Sequence, residues 1–166
     1  IQGLVLSVLS EPFIQLRNSK WVEIQRFQLK HGRSHGIEIS GGKSISIVET
    51  EIAGVGGTGI VVDGGAKHRI SRTNVVHAGA GGVLLNGGER ATLTPGGHVV
   101  ENCDISRVNR WYATYHPCVF LRGVGNQVRK SRLHHTEGQA ILIKGNDHLI
   151  EYNEIDHCAL DMSDAA

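Results

Sequence analysis

The sequence predicts an all-β fold, a right-handed parallel β-helix of about six coils with 22 to 23 residues each. Three observations predict this fold. Glycine is abundant, with 22 residues against 3 prolines, and the aliphatic residues are mostly Ile, Val and Leu, a composition that favours short strands joined by tight turns. Apolar residues recur with a period near 23, and glycine or asparagine recurs with the same period four residues later.

Four columns of apolar residues define the predicted strands. The first holds Ile14, Ile37, Ile60 and Val83 at intervals of 23 residues, then Val119 and Ile141 after intervals of 36 and 22. The second, two residues later, holds Leu16, Ile39, Val62, Leu85, Leu121 and Ile143. The third holds Ile24, Ile47, Ile70, Val100, Val128 and Ile150, and the fourth holds Leu29, Ile52, Val75, Ile105, Leu133 and Ile155. Because alternate strand residues point to opposite faces, we expect every column to line one dry interior.

Residues that tolerate a left-handed backbone follow the first predicted strand of each coil. Four residues after the first column lie Asn18, Gly41, Gly64, Gly87, Gly123 and Gly145. Glycine, and then asparagine, adopts positive φ at the lowest cost. We therefore expect a left-handed corner in every coil, with the coils stacked about 4.8 Å apart.

Length and charge restrict the function classes. We expect residues 1–166 to form a single β-helix domain, because this length suffices for one domain with a substantial core. The net charge of +1, with both signs well mixed, predicts no nucleic-acid partner. The opening segment IQGLVLSVLS is too short an apolar run for a signal peptide or a membrane span. Three cysteines without a CxxC pair predict no disulfide framework, and the oligomeric state stays open.

The polar stretch GNDHLIEYNEIDHC, residues 145–158, is predicted to be scaffold. His148 shares an inward column with Val22, Ile45, His68, His98 and Asn126, and Asn153 shares a corner column with Phe27, Thr50, Thr73, Cys103 and Ser131. Polar side chains at such positions hydrogen-bond along the stack. We interpret Asp147 as a solvated turn residue, and Glu101, Arg129 and Glu151 as a surface charge ladder.

A column of histidines lies at the end of the coils. It holds His31, His77, His135 and His157, and it is interrupted by Gly54 and Arg107. Because of these gaps, we interpret the column as a surface feature, and the sequence predicts no metal site and no cofactor.

Two insertions interrupt the repeat, both in the fourth coil, at residues 89–96 and 108–117. Insertions in a solenoid rise from one edge and often carry its function. The second holds Trp111, Tyr112 and Tyr115, three of the eight aromatic residues of the chain. Exposed aromatic faces suit sugar rings. An equal alternative is that the loop covers the neighbouring outward column, which becomes apolar at Val61, Leu84, Phe120 and Leu142.

An outward polar column runs beside this insertion and supplies candidate substrate ligands. It holds Arg17, Ser40, Asp63, Asn86, Arg122 and Lys144. Arg122 and Lys144, on adjacent coils, suit a carboxylate or sugar hydroxyls, and Asp63 belongs to the same candidate surface. The alternative is an ordinary solvated face.

Acidic residues and one histidine fall at the same edge as the aromatic insertion. These candidate catalytic residues are His116, Glu137, Asp161 and Asp164. Glycosidic bond cleavage requires a protonated acid for the leaving oxygen and a carboxylate that acts as nucleophile or activates water. Aspartates in turns also occur for purely local reasons.

Three segments, HPCVFLRGVGNQV, QAILIKGNDHLIEYNEIDHC and SDAA, resemble bacterial β-helix-repeat proteins of polysaccharide breakdown, in particular glycoside hydrolase family 141, which includes α-L-fucosidase and xylanase activities. The resemblance covers roughly residues 35–166. It implies an active-site aspartate at Asp164, a secreted or periplasmic location, and a longer chain of which this is a fragment. One departure is that Glu137, Gly138 and Gln139 stand where that family often has a histidine-containing turn.

The leading hypothesis is a glycoside hydrolase, or part of one, that acts on a polysaccharide or oligosaccharide with paired carboxylates. One alternative is a β-helical polysaccharide lyase or epimerase that uses Ca²⁺. That chemistry needs several outward acids, and the outward column offers only Asp63. The other alternative is a non-catalytic carbohydrate-binding or adhesion solenoid with the aromatic loop as its contact patch.

Overall fold

The computed structural model describes residues 4–112 and 114–161, and every regular element in these residues is a β-strand. The strands are short and alternate with tight corners, as the abundance of branched aliphatic residues and glycine predicts. Within these residues, no helix is long and apolar enough to cross a membrane.

Six coils follow one another along the described chain. The first three contain β1 (Ile14–Arg17), β2 (Glu23–Gln25), β3 (Gln28–Lys30), β4 (Ile37–Ser40), β5 (Ser46–Val48), β6 (Glu51–Ala53), β7 (Ile60–Asp63), β8 (Arg69–Ser71) and β9 (Asn74–Val76). The last three contain β10 (Val83–Glu89), β11 (Thr94–Pro95), β12 (Val99–Glu101), β13 (Asp104–Ser106), β14 (Val119–Val124), β15 (Gln127–Arg129), β16 (Arg132–His134), β17 (Ile141–Asn146), β18 (Leu149–Glu151) and β19 (Glu154–Asp156).

Each coil contributes one strand to each of three parallel sheets. The first sheet has the order β1-β4-β7-β10-β14-β17, the second β2-β5-β8-β12-β15-β18, and the third β3-β6-β9-β13-β16-β19. The short strand β11 pairs with β10 in antiparallel fashion and belongs to the first insertion. This arrangement is a parallel β-helix, so the predicted fold class is confirmed.

The four predicted apolar columns stack in register. Ile14, Ile37, Ile60, Val83, Val119 and Ile141 are successive partners across the first sheet, and the other three columns keep their register in the same way. Alternation within a strand explains the burial, since Ile37 and Ile39 of β4 are buried and Glu38 between them is only half-buried. In the sixth coil the columns are less covered, and Ile143 is 50% exposed.

Left-handed residues recur at four equivalent positions of the coils rather than at the one predicted. Besides the position of Asn18, positive φ occurs in three further columns, namely Trp21, Ser44, Lys67, Gly97, Gly125 and Asp147; Arg26, Glu49, Arg72, Asn102, Lys130 and Tyr152; and His31, Gly54, His77, Arg107, His135 and His157. Large side chains adopt this costly conformation because the corner N–H then donates to the next coil. Arg26 N–H, for example, donates to Val48 O at 3.1 Å.

The predicted left-handed corner at Gly87 is wrong. Gly88 adopts positive φ instead, at 89°. The reason is that β10 continues to Glu89 and forms a hairpin with β11, so the first insertion moves the corner by one residue.

The predicted polar ladder through His148 is confirmed. His68 Nδ1 accepts from Ile45 N–H at 3.1 Å, and His98 Nδ1 accepts from His68 N–H at 3.2 Å. The two rings stack with centroids 4.8 Å apart. Asn126 Oδ1 and His148 Nδ1 extend the pattern in the next two coils. Every side chain in the ladder therefore satisfies a backbone donor of the preceding coil.

The corner column through Asn153 forms a second ladder. Ser131 Oγ accepts from Cys103 N–H at 3.2 Å, and Asn153 Oδ1 accepts from Ser131 N–H at 3.0 Å. Cys103 is buried in this column, and its burial raises the pKa of the thiol to about 12. All three cysteines are free, and Cys103 is a protonated core residue at neutral pH.

The predicted charge ladder has the expected register but is not a surface feature throughout. Glu101 pairs with Arg129 across β12 and β15, and Arg129 pairs with Glu151 across β15 and β18. Glu101 is only 5% exposed and forms ion pairs with both Arg69 and Arg129. A buried carboxylate between two guanidinium groups makes each of them costly to remove, in contrast to an exposed pair.

Substitution of one interior isoleucine should be far more costly than the equivalent substitution at the end of the stack. Ile60 is 0% exposed and Ile143 is 50% exposed. We expect Ile60→Ala to lower the free energy of unfolding by about 2–5 kcal/mol and Ile143→Ala by roughly half as much, because a half-exposed side chain removes less apolar area from water. Chemical denaturation of both variants measures this. Equal losses would contradict the described burial.

The buried histidines should make stability depend on pH. Burial, together with neighbouring His68, lowers the pKa of His98 to about 4. The unfolded chain, with a pKa near 6.5, binds more protons between these values, so stability is complete above pH ~6.5 and falls by about 3 kcal/mol as the pH drops towards 4. His98→Asn should flatten this slope, because Asn126 accepts from a backbone N–H in the same column. Denaturation at several pH values measures the slope, with exposed His31→Asn as control. Equal slopes in the two variants would contradict the assignment.

Candidate functional site

The aromatic insertion, residues 108–117, folds back over the preceding coil. Trp111 N–H donates to Gly79 O at 3.0 Å, which holds the start of the insertion on the corner that follows the third-sheet strands. The side chains of Trp111, Tyr112 and Tyr115 are 70%, 54% and 60% exposed. More than half of the surface of each of these residues is therefore accessible to solvent.

The end of the insertion covers part of the apolar outward column. Tyr115, His116 and Pro117 line a small cavity together with Leu84 and Phe120. Leu84 and Phe120 are half-buried, as are Val61 and Leu142 of the same column. The two interpretations of the insertion thus apply to different parts of it, since its first part exposes an indole ring and its last part covers the sheet.

The turn that follows the third-sheet strand is the third corner of each coil. A groove runs along this corner and is called the corner groove below. Its upper part has a volume of about 280 Å³ and its lower part about 300 Å³, and the two parts share His77 and Arg110. The upper part is lined by Gly32, Arg33, Gly54, Val55, Gly56, Gly79 and Trp111, and the lower part by Arg107, Val108, His135, Glu137 and Leu160.

Glycines form the floor of the upper part because no side chain fits there. A Cβ at Gly56 would collide with the backbone carbonyl of Arg33, and a Cβ at Gly79 would collide with the carbonyl of Gly56 and touch the ring of Trp111. Neither glycine has positive φ, so close approach of the coils is the reason for glycine here. The result is a flat backbone surface beside an indole ring.

The charge of the corner groove is mostly positive. Arg33, Arg107 and Arg110 line it, and Glu137 is the acidic residue among its lining residues. Burial, together with Arg110 and Arg107, lowers the pKa of His77. His77 is therefore neutral at neutral pH, where its ring nitrogens offer one donor and one acceptor.

Two of the predicted catalytic carboxyl groups lie on adjacent coils. Asp161 N–H donates to Glu137 O at 3.4 Å. Glu137 is half-buried in the corner groove, and Asp161 is exposed. The structure thus places the backbones of these two residues next to each other, and their catalytic role stays a prediction.

The other two predicted catalytic residues do not join them in the described chain. The ring of His116 contacts that of Tyr112 in a tilted arrangement, with centroids 4.5 Å apart, and His116 lines the small cavity with Phe120 instead of the corner groove. Burial lowers the pKa of its imidazole. Among the described residues, no hydrogen bond or ion pair joins His116 to Glu137. Asp164 lies outside the residues that the structure describes.

The predicted cationic pair lies in a second depression, on the outward face of the first sheet. Arg122 and Lys144 are register partners, and their charged groups lie 5.6 and 5.8 Å from the centre of the Phe120 ring. Glu89 and Arg90, from the first insertion, line the same depression of about 320 Å³. Its charged lining residues are three cations and one acid, the same balance as in the corner groove, but no aromatic ring lines it among the described residues.

Asp63 accepts a hydrogen bond from its register partner in the next coil. Asn86 Nδ2–H donates to Asp63 Oδ1 at 2.6 Å. The register partners of Asp63 on either side are Ser40 and Asn86, neither of which is acidic. The surroundings of Asp63 therefore lack the several carboxylates that a calcium site uses.

Sequence reasoning missed the three arginines and the glycine floor of the corner groove. Arg33 and Arg110 belong to no column that the repeat defines, and Arg107 lies in the histidine column, where the sequence indicated only an interruption. A signal for the floor does exist, because the segments that close the first three coils, HGRSHG, AGVGGTG and HAGAGG, are all rich in glycine. Runs of this kind indicate a surface of bare backbone.

Comparison with known proteins identifies the repeat but no individual relative. A family model described as a right-handed β-helix region matches residues 13–111, which is more than half of the chain. No curated protein and no solved structure matches it.

Proposed function

The chain belongs to the right-handed β-helix family, and we propose that it is a carbohydrate-active member that binds an acidic polysaccharide or oligosaccharide in the corner groove. The observation that carries this proposal is the exposed ring of Trp111 beside a glycine floor and between arginines. The resemblance to polysaccharide-degrading β-helix proteins supports the same substrate class.

Sugar binding follows from the chemistry of the groove. The C–H face of a pyranose ring is apolar and stacks on an indole, while its hydroxyl groups need polar partners at the edge. The bare backbone at Gly56 and Gly79 lets a ring approach closely. Arg33 and Arg110 offer forked donors that suit the carboxylate of a uronic acid. An acidic sugar chain therefore fits the upper part better than a neutral one.

Hydrolysis is the reaction that we propose for the lower part of the groove. Glu137 lines it, Asp161 is linked to Glu137 by a backbone hydrogen bond from the next coil, and these two residues would supply the two carboxyl groups. Their separation sets the outcome, because about 5–5.5 Å favours a covalent intermediate and retention, whereas about 6.5–9.5 Å leaves room for water and gives inversion. The resemblance adds Asp164 as a further candidate acid. A secreted or periplasmic location follows from the same resemblance and suits a polymeric substrate.

Trp111 should contribute to sugar affinity where another exposed tryptophan does not. Trp21 is 76% exposed and lies at a different corner, so Trp21→Ala is a matched control for Trp111→Ala. We expect Trp111→Ala to weaken the binding of an oligogalacturonate about tenfold or more, through loss of the stacking surface, and Trp21→Ala to leave it unchanged. Calorimetric titration measures both. Equal affinity of the two variants would count against the corner groove as the site.

Replacement of one carboxyl group should separate binding from cleavage. We expect the chain to release reducing sugar from an acidic polysaccharide, and Glu137→Gln to lower the rate at least 100-fold while the affinity stays within a factor of about two. Product analysis distinguishes the alternatives, because a lyase would yield unsaturated ends that absorb in the ultraviolet. Binding without any product from the unmodified chain would identify a non-catalytic module and refute the hydrolase.

A further inference from the structure

Two neighbouring histidines and an aspartate converge at the third corner of the last two coils. His134 ends β16 and is the register partner of Asp156, which ends β19. His135 follows in the left-handed corner position. One ligand atom from each of these three residues lies within 4.8 Å of the others. The three residues are called the histidine cluster below.

The orientation of His134 leaves a nitrogen lone pair inside the cluster. Its Nε2 lies 3.1 Å from Asp104 Oδ1. An ionised carboxylate only accepts, so this nitrogen carries the hydrogen and Nδ1 of the neutral ring has none. That Nδ1 lies 2.7 Å from Nδ1 of His135. A histidine whose far nitrogen donates to a carboxylate is the usual arrangement of a metal ligand.

The carboxylate of Asp156 is fixed in a comparable way. His157 Nδ1–H donates to Oδ1 at 2.5 Å, and Arg132 donates to Oδ2 at 3.3 Å. The side-chain nitrogen of His135 lies 3.9 Å from the same Oδ1. The rings of His135 and His157 stack with centroids 4.5 Å apart, which holds His135 against the carboxylate. Asp156 and His135 are therefore positioned by residues outside the cluster, namely His157 and Arg132.

We propose that the histidine cluster binds a divalent transition metal ion, with His134 Nδ1, His135 Nδ1 and one Asp156 oxygen as its ligands. Two imidazoles and a carboxylate suit Zn²⁺ and its neighbours rather than Mg²⁺ or Ca²⁺. Tetrahedral Zn²⁺ places its ligand atoms roughly 3.3 Å apart. The present separations of 2.7, 3.9 and at most 4.8 Å bracket that value, so small side-chain rotations complete the site.

The site is sheltered on one side and accessible on the other. His134 is buried, whereas His135 and Asp156 are half-buried. Three protein ligands with an open face are typical of zinc sites that retain a water molecule. His135 also lines the lower part of the corner groove beside Glu137. A bound ion would therefore lie at the end of that groove, although its binding does not depend on the proposed sugar substrate.

The side chains next to the histidine cluster limit which residues can ligate the ion. Arg132 donates to the outer oxygen of Asp156 and also pairs with Glu154 at 3.2 Å, so part of its charge is offset by a second carboxylate. Cys158 is close in sequence, but its thiol donates to the backbone carbonyls of Leu133 and Asp156. A thiol that donates its hydrogen to backbone carbonyls is a poor ligand, which assigns binding to the imidazoles and not to the cysteine.

The test is calorimetric titration of Zn²⁺ into the metal-free chain. We expect one equivalent to bind, and His135→Asn to weaken binding at least 100-fold, since asparagine keeps the left-handed corner but removes the imidazole. His77→Asn is the matched control, because His77 holds the same corner position above Arg107. It should bind Zn²⁺ as the unmodified chain does, and so should Cys158→Ser. Absence of stoichiometric binding to the unmodified chain, or equal losses in His135→Asn and His77→Asn, would overturn the proposal.

Substitution of Asp104 provides a second test, which leaves all three proposed ligands in place. It is a positioning residue, and Asp104→Asn should weaken Zn²⁺ binding by about 10- to 100-fold, because an amide no longer fixes the tautomer of His134. Visible absorption of bound Co²⁺ should change in this variant, while the thermal unfolding of the metal-free chain should not. Unchanged Zn²⁺ affinity in a folded Asp104→Asn chain would refute the assigned ligand orientation.

Discussion

The stacking of branched aliphatic side chains at one fixed coil spacing is the constraint on which the rest of this structure depends. Ile37, Ile60 and Val83 are fully buried register partners in neighbouring coils. Parallel pairing sets the spacing of the coils at about 4.8 Å, so each of these side chains packs on its counterpart above and below. A slip by one residue would turn a whole column outward, which makes the register strongly specified. A loop can be lengthened only where the register of the strands stays intact, as in the two insertions of the fourth coil.

The corners follow from the same constraint. A coil of about 23 residues must turn between three sheets, and its corner N–H groups must still find acceptors in the next coil. Left-handed residues achieve this, and Arg26, Glu49 and Arg72 donate from one corner column to the coil that follows. The cost of roughly 1–2 kcal/mol for a left-handed non-glycine residue is offset by a continuous ladder of hydrogen bonds.

The third corner collects the features that point to function. Its glycines allow Trp111 to lie on bare backbone, Arg110 separates the two parts of the groove, and Glu137 lies at the lower end. The histidine cluster occupies the same corner in the last two coils. Most of these side chains lie at or beyond the ends of the third-sheet strands, outside the four apolar columns. They are therefore free to carry chemistry while the aliphatic columns keep the backbone rigid.

The sequence by itself determined the four apolar columns, the polar ladder through His148 and the positions of both insertions, because strand alternation and a constant period are properties that spacing alone records. Only the tertiary structure decided the left-handed conformation of large residues such as Arg72, where hydrogen bonds between coils override the preference of the residue. It also decided that Glu101 is buried between two arginines and that Asp156 of the last coil lies beside His134 and His135 of the preceding one. These contacts join side chains of different coils near loops of unequal length, and no spacing in the sequence encodes how such side chains meet.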